Sequence, residues 1–86
     1  MPEISRFFGI VIKMYFDEHP PPHFHAEYGD YKAVVDIHGL VVVGGFLPPR
    51  VLGLVVEWAA QHRGELLAAW EQAARMQPLG KIPPLV

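Results

Sequence analysis

The chain has 86 residues, 51% of them hydrophobic and 19% charged, which excludes a disordered tail and leaves no room for a second hydrophobic core. The formal net charge of −2 gives no support to broad electrostatic binding of nucleic acid, which normally needs a basic surface. Because the chain contains no cysteine, has no secretory-signal pattern at its start and has no apolar run of membrane-spanning length, we expect one cytoplasmic domain over residues 1–86.

The first predicted element is a β-strand over residues 5–16. Apolar side chains alternate with others from Phe8 onward, which is the period of a strand with one face on the core. That core face would carry Phe8, Ile10, Ile12, Met14 and Phe16. Residues 17–22 then end the strand, because three consecutive prolines cannot donate hydrogen bonds to a ladder and hold the chain extended.

Two further strands, over residues 23–28 and 31–38, are predicted to form a β-hairpin. The dipeptide Gly29-Asp30 separates two alternating runs, and glycine can supply the positive φ that a two-residue turn requires. This turn sets His23 opposite Asp36. Because side chains alternate across a strand, His23 and His25 share the face opposite Phe24.

A fourth strand is predicted over residues 40–43. A two-residue turn at His38-Gly39 would set Asp36 opposite Val41, and short connections favour antiparallel neighbours. The four strands would therefore form a meander that ends at Gly44-Gly45.

The C-terminal half has the apolar stripe of a helix. Pro48-Pro49 is typical of a helix start, and Gly64 is suited to a helix end. We therefore predict two helices over residues 49–63 and 65–76, or one helix sharply bent between them, and an extended tail over residues 78–86. Trp58 lies on the apolar stripe, and we expect it in the core.

The predicted fold is α+β, a four-stranded antiparallel meander sheet followed by two C-terminal helices, or one bent helix, packed on one face. The opposite face would present both valines and polar side chains, namely Val11, Lys13, Tyr15, His23, His25, Glu27, Val34, Asp36, Val41 and Val43. This face is too apolar for an ordinary solvated surface. We expect a protein partner or a second copy of the chain to cover it.

The motif His23-Phe24-His25 is the strongest chemical signal in the chain. Two histidines at i and i+2 on a strand point the same way and can bind one divalent metal such as zinc. Asp36 is a candidate third ligand, or a carboxylate that orients His23, and His19 is a candidate fourth ligand. The alternative is a structural His23–Asp36 pair across the strands, worth roughly 0.2–1 kcal/mol.

Metal-free acid–base chemistry is a further interpretation. An imidazole beside a carboxylate can act as a general base, with a second histidine as the acid. The catalytic candidates are then His23, His25 and Asp36, with Arg6 or Lys13 to hold a phosphate. Such a set would suit a ribonuclease, although the net charge does not favour a nucleic-acid substrate.

Three segments carry a resemblance to a known family: ISRFFGIVIKMYF, HPPPHFHAEYGDYKA and LPPRVLGLVVEWAAQHRGELLAAWEQA. Together they resemble the bacterial family of domain of unknown function 4160 over nearly the whole chain. Members of that family resemble small stand-alone proteins often encoded beside another small domain of unknown function, number 2442, an arrangement similar to a toxin–antitoxin pair.

Two functions remain open on these grounds. The first is a protein-interaction component of a toxin–antitoxin-like gene pair, acting through the exposed sheet face. The alternative is a small histidine-based hydrolase or ribonuclease, with or without a divalent metal, centred on His23, His25 and Asp36.

Overall fold

The computed structural model describes residues 3–86. Its elements in chain order are β1 (Glu3–Phe7), β2 (Ile10–Lys13), β3 (His23–Tyr28), β4 (Tyr31–Asp36), β5 (Val42–Gly45), α1 (Pro49–Gln61) and α2 (Arg63–Ala74). The strands form one sheet in the order β1-β2-β3-β4-β5, and each strand runs antiparallel to its neighbours. The predicted α+β fold is confirmed, but the sheet has five strands where the sequence predicted four.

The additional strand arises because the predicted strand 5–16 is a hairpin. The chain reverses at Phe8 and Gly9, whose φ angles of 49° and 77° are both positive, as a type I′ turn requires. Phe8 is therefore 61% exposed at the turn and not in the core as predicted, and Phe16 lies beyond the end of β2, 37% exposed. The alternation after the turn was interpreted correctly, since Ile10, Ile12 and Met14 are fully buried.

The hairpin of β3 and β4 has the predicted register. His23 pairs with Asp36, and Tyr28 pairs with Tyr31 on either side of the turn. Gly29 has a φ of 57°, the left-handed conformation that the turn needs. The central hairpin therefore follows from sequence alternation and one turn glycine.

The connection from β4 to β5 is longer than the predicted two-residue turn. β4 ends at Asp36, and Asp36 Oδ2 accepts a hydrogen bond from the Gly39 amide, while β5 begins only at Val42. The predicted alignment of Asp36 with Val41 holds, because the Asp36 amide donates to the Val41 carbonyl at 2.9 Å. An irregularity between Val34 and Val35 then shifts the register.

Gly45 marks the end of β5. Its φ is 75°, and a Cβ atom there would collide with the backbone carbonyl of Lys32. Because glycine has no Cβ atom, it is the residue that allows the backbone at position 45 to approach Lys32 this closely.

The C-terminal segment forms two helices, as predicted, but they meet at His62 and not at Gly64. His62 has a φ of −124° and interrupts the helical backbone, whereas Gly64 lies inside α2. The tail from residue 77 onward, which was predicted to be extended, has no helix or strand. No helix among residues 3–86 is long and apolar enough to cross a membrane.

The core lies between one face of the sheet and the two helices. Trp58 is fully buried, as predicted, and packs against Phe24 and Phe7 with ring centroids 5.8 and 5.3 Å apart. The Trp58 indole N–H donates to the Pro83 carbonyl at 2.8 Å, and the Ile82 amide donates to the Ile4 carbonyl at 2.7 Å. These bonds attach the tail to the core, whereas side chains on the opposite sheet face, among them His23, His25 and Val34, are only partly buried.

Candidate metal centre

Strand β3 places His23 and His25 side by side. They are two positions apart, so both rings lie on the same side of the strand, and the ring centroids are 5.4 Å apart. The side chains are 15% and 22% exposed. Both imidazoles are thus sheltered yet still accessible from solvent.

Glu18 completes the cluster from the loop before β3. The chain turns at Asp17, whose φ is 58°, and brings the Glu18 carboxylate back over the start of β3. Glu18 Oε1 lies 3.1 Å from His23 Nε2 and 2.8 Å from His25 Nε2. One carboxylate oxygen therefore meets both imidazoles.

The protonation of His23 is constrained by its second nitrogen. His23 Nδ1 lies 2.8 Å from the Pro21 carbonyl, which can only accept, so Nδ1 carries the proton and donates it. In a neutral ring Nε2 then bears a lone pair, and this lone pair faces the Glu18 carboxylate. Two acceptors cannot face each other at that distance unless a proton or a metal ion lies between them.

Aromatic neighbours hold both imidazoles in place. The Trp70 ring of α2 lies 5.0 Å from the His23 ring, and the edge-on Tyr15 ring lies 4.6 Å from the His25 ring, measured between centroids. Rings fixed by packing and by a backbone hydrogen bond are preorganised, which lowers the cost of binding a ligand between them.

The spacing of the three ligand atoms suits a small divalent ion. One atom from each of Glu18, His23 and His25 lies within 4.8 Å of the other two. Zinc bonds of about 2.0–2.1 Å in tetrahedral geometry place neighbouring ligand atoms about 3.3 Å apart. A slight opening of the cluster would admit zinc, and three protein ligands leave one position for water or substrate.

Two of the predicted metal ligands are not in this cluster. Asp36 is opposite His23 in the register of β3 and β4. Its carboxylate, however, accepts a hydrogen bond from the Gly39 amide and so closes the loop after β4. His19 is exposed and is not part of the cluster, which consists of Glu18, His23 and His25 among residues 3–86. The local hydrogen bond to the loop backbone outweighs the cross-strand contact that the register suggested for Asp36.

Arg6 is also separate from the cluster. Its guanidinium bonds the Glu3 carboxylate at 2.8 Å, and this hydrogen bond lowers the pKa of Glu3 and raises the pKa of Arg6. Lys13 pairs with His25 in the register, and its ammonium contacts Glu27 at 3.1 Å. Glu27 therefore forms its ion pair with Lys13 and not with Lys32, which lies opposite it in the register of β3 and β4.

Glu18 is the cluster residue that sequence reasoning missed. It stands five residues before His23, on the far side of three prolines, where no strand register could place it. A signal was nevertheless present, because the order Glu18, His23, His25 puts a carboxylate and two imidazoles within eight residues. A loop that folds back is enough to bring them together.

A shallow groove of about 360 Å³ begins at His25 and crosses the open face of the sheet toward β5. Tyr15 and Val34 line it near the histidine, and Lys32 and Gly44 line it farther along. The candidate metal centre thus adjoins a concave surface that can receive a ligand.

The fold and the cluster define a small α+β domain with a Glu–His–His cluster at the start of the central strand of an antiparallel meander. Residues 9–71 match the family model described as Domain of unknown function (DUF4160). The match covers well over half of the chain and includes all three cluster residues, so this protein belongs to that family. Comparisons with curated proteins and with solved structures found no match.

Proposed function

We propose that this protein is a small hydrolytic enzyme that uses a divalent metal, such as zinc, bound by Glu18, His23 and His25. The observation that carries the proposal is the orientation of His23. Its Nδ1 contacts the Pro21 carbonyl, so Nε2 is the nitrogen that faces the Glu18 carboxylate, with the Nε2 of His25 beside the same oxygen. A metal-binding histidine commonly donates its other ring N–H to a carbonyl in this way.

Catalytic zinc sites can have this ligand set, in which two imidazoles and one carboxylate bind the metal and the fourth position is open. In such sites the metal lowers the pKa of its bound water to about 7. In the hydrolysis we propose, the oxygen of a water molecule bonds to the electrophilic centre of the substrate. The bond to the leaving oxygen breaks, and a proton from the water ends on that oxygen. No external oxidant or reductant is needed.

The direct test is metal content measured by mass spectrometry on tag-free protein. We expect close to one divalent ion per wild-type chain after incubation with zinc, and almost none in the His23→Ala/His25→Ala double variant, which loses two of three ligands. His19→Ala is the matched control, because His19 lies outside the cluster, and it should keep the metal. A wild-type chain that stays metal-free after incubation would refute the proposal.

The second candidate function is the protein-interaction component of a toxin–antitoxin-like gene pair. The observation that favours it is the apolar character of the edge strand β5 and its flanks. Val41, Val43 and Phe46 are 56%, 60% and 59% exposed, and within residues 3–86 β5 pairs with β4 on one side only. An exposed apolar edge strand is a template for adding a strand from another chain.

A charge on β5 tests this second candidate. If the chain associates through β5, Val43→Lys should convert the oligomer to a monomer, because the ammonium cannot be buried without a partner. Phe8→Lys, which places the same charge on an exposed apolar residue of the β1–β2 turn, should leave association unchanged. Sedimentation of the wild-type chain as a monomer at all concentrations would exclude self-association.

A further inference from the structure

We infer that the groove beside His25 binds the organic part of a phosphoester, with its phosphate group directed to the metal at Glu18, His23 and His25. This inference rests on the proposed function and adds to it the class of substrate. Three observations support it: the continuity of the groove with the metal centre, the distribution of charge along it, and its size.

The groove is continuous with the cluster because of the strand register. His25 pairs with Val34 across β3 and β4, and Val34 pairs with Gly44 across β4 and β5. The three positions form one row across the open face. Gly44 has no side chain to close the far end of this row, so a molecule bound at His25 can extend along Val34 toward the edge of the sheet.

The charges along the groove favour an anion. Glu27 lines the groove, and its negative charge is largely cancelled by Lys13, which lies beside the groove and forms an ion pair with it at 3.1 Å. Lys32 also lines the groove, is exposed and forms no ion pair within residues 3–86. With a divalent ion at one end and the Lys32 ammonium along the wall, positive charge exceeds negative charge, and a phosphate group matches this field.

The size and lining of the groove suit a small organic group. A volume of about 360 Å³ is at the lower end of the range for small-molecule pockets, roughly 300–1,000 Å³. The Val34 side chain and the Tyr15 ring give it an apolar surface against which an aromatic or aliphatic group can pack. The groove therefore fits one small organophosphate or one residue of a phosphodiester chain.

The test is calorimetric binding of phenylphosphonate, a phosphoester analogue that is not hydrolysed, to the zinc-loaded protein, with uncharged benzamide for comparison. Gly44→Leu should weaken phenylphosphonate binding more than tenfold by filling the groove. A Cβ at Gly44 would meet Val34 at ordinary contact distances of 3.7–3.8 Å, so the fold should tolerate it. Lys32→Ala should weaken binding about tenfold through loss of the ammonium. Gly53→Leu, on the exposed side of α1, should have no effect.

Zinc content measured on the same samples separates the two hypotheses. Zinc-loaded Gly44→Leu that binds phenylphosphonate as tightly as the wild type would overturn the groove assignment and leave the metal centre intact. Equal binding of benzamide and phenylphosphonate would overturn the phosphoester class. A wild-type chain that takes up no zinc would overturn the proposed function, and the phosphoester inference with it.

Discussion

Zinc at a hundredfold excess over its dissociation constant is expected to raise the melting temperature of the wild-type chain by more than about 10 °C. A ligand that binds only the folded state stabilises it by about 2.7 kcal/mol at that excess. In a domain of 60–100 residues each kcal/mol shifts the melting temperature by roughly 4–8 °C. In the folded chain the loop before β3 brings the Glu18 carboxylate to His23 and His25, so zinc held by these three residues would stabilise the folded state.

Glu18→Gln is the most informative variant for this experiment. It keeps the size of the side chain and removes the anionic ligand, so the zinc-induced shift should fall below about 2 °C, since metal affinity is lost with the carboxylate. His19→Ala should retain the full shift. Because each variant is compared with itself in chelator, a change in its own baseline stability does not affect the result. A full shift in Glu18→Gln would show that zinc binds elsewhere.

Trp58→Ala is expected to lower the free energy of unfolding by about 3–5 kcal/mol, the range for large-to-small changes of buried aromatic residues. Trp58 is fully buried between the sheet and the helices, and its N–H holds the tail at Pro83. A domain of this length has a total stability of roughly 4–13 kcal/mol, so the change removes a large part of it. Urea unfolding followed by circular dichroism measures the loss.

Two companion variants separate the contributions of packing and hydrogen bonding. Trp58→Phe keeps an aromatic ring in the core but removes the N–H, and the unpaired Pro83 carbonyl should add about 1 kcal/mol to the cost of the smaller ring. Glu57→Ala changes an exposed neighbour on α1 and should alter stability by less than about 0.5 kcal/mol. If Trp58→Ala unfolds at the same urea concentration as Glu57→Ala, the Trp58 side chain does not make a large contribution to the free energy of unfolding.

The candidate site was predictable only in part. His23 and His25 were placed together because strand alternation is local and the Gly29 turn determines the register of β3 with β4. Asp36 was assigned to the site on the same register, yet its carboxylate bonds the Gly39 amide within its own loop. Register decides which residues lie opposite each other, whereas side-chain direction depends on nearby backbone donors that the register does not include.

The sequence by itself determined the α+β class, the central hairpin, the burial of Trp58 and the presence of two C-terminal helices, because each depends on periodicity or on a local turn residue. Only the tertiary structure decided that residues 5–16 contain the Phe8-Gly9 turn. The turn shifts the buried positions by one, since Phe7 pairs with Ile10, but Phe7 and Phe8 are both apolar and this shift is therefore hidden in the sequence. Only the tertiary structure brought Glu18 to the histidines. A loop has no period, and its path is decided by the contacts that its ends make with the rest of the fold.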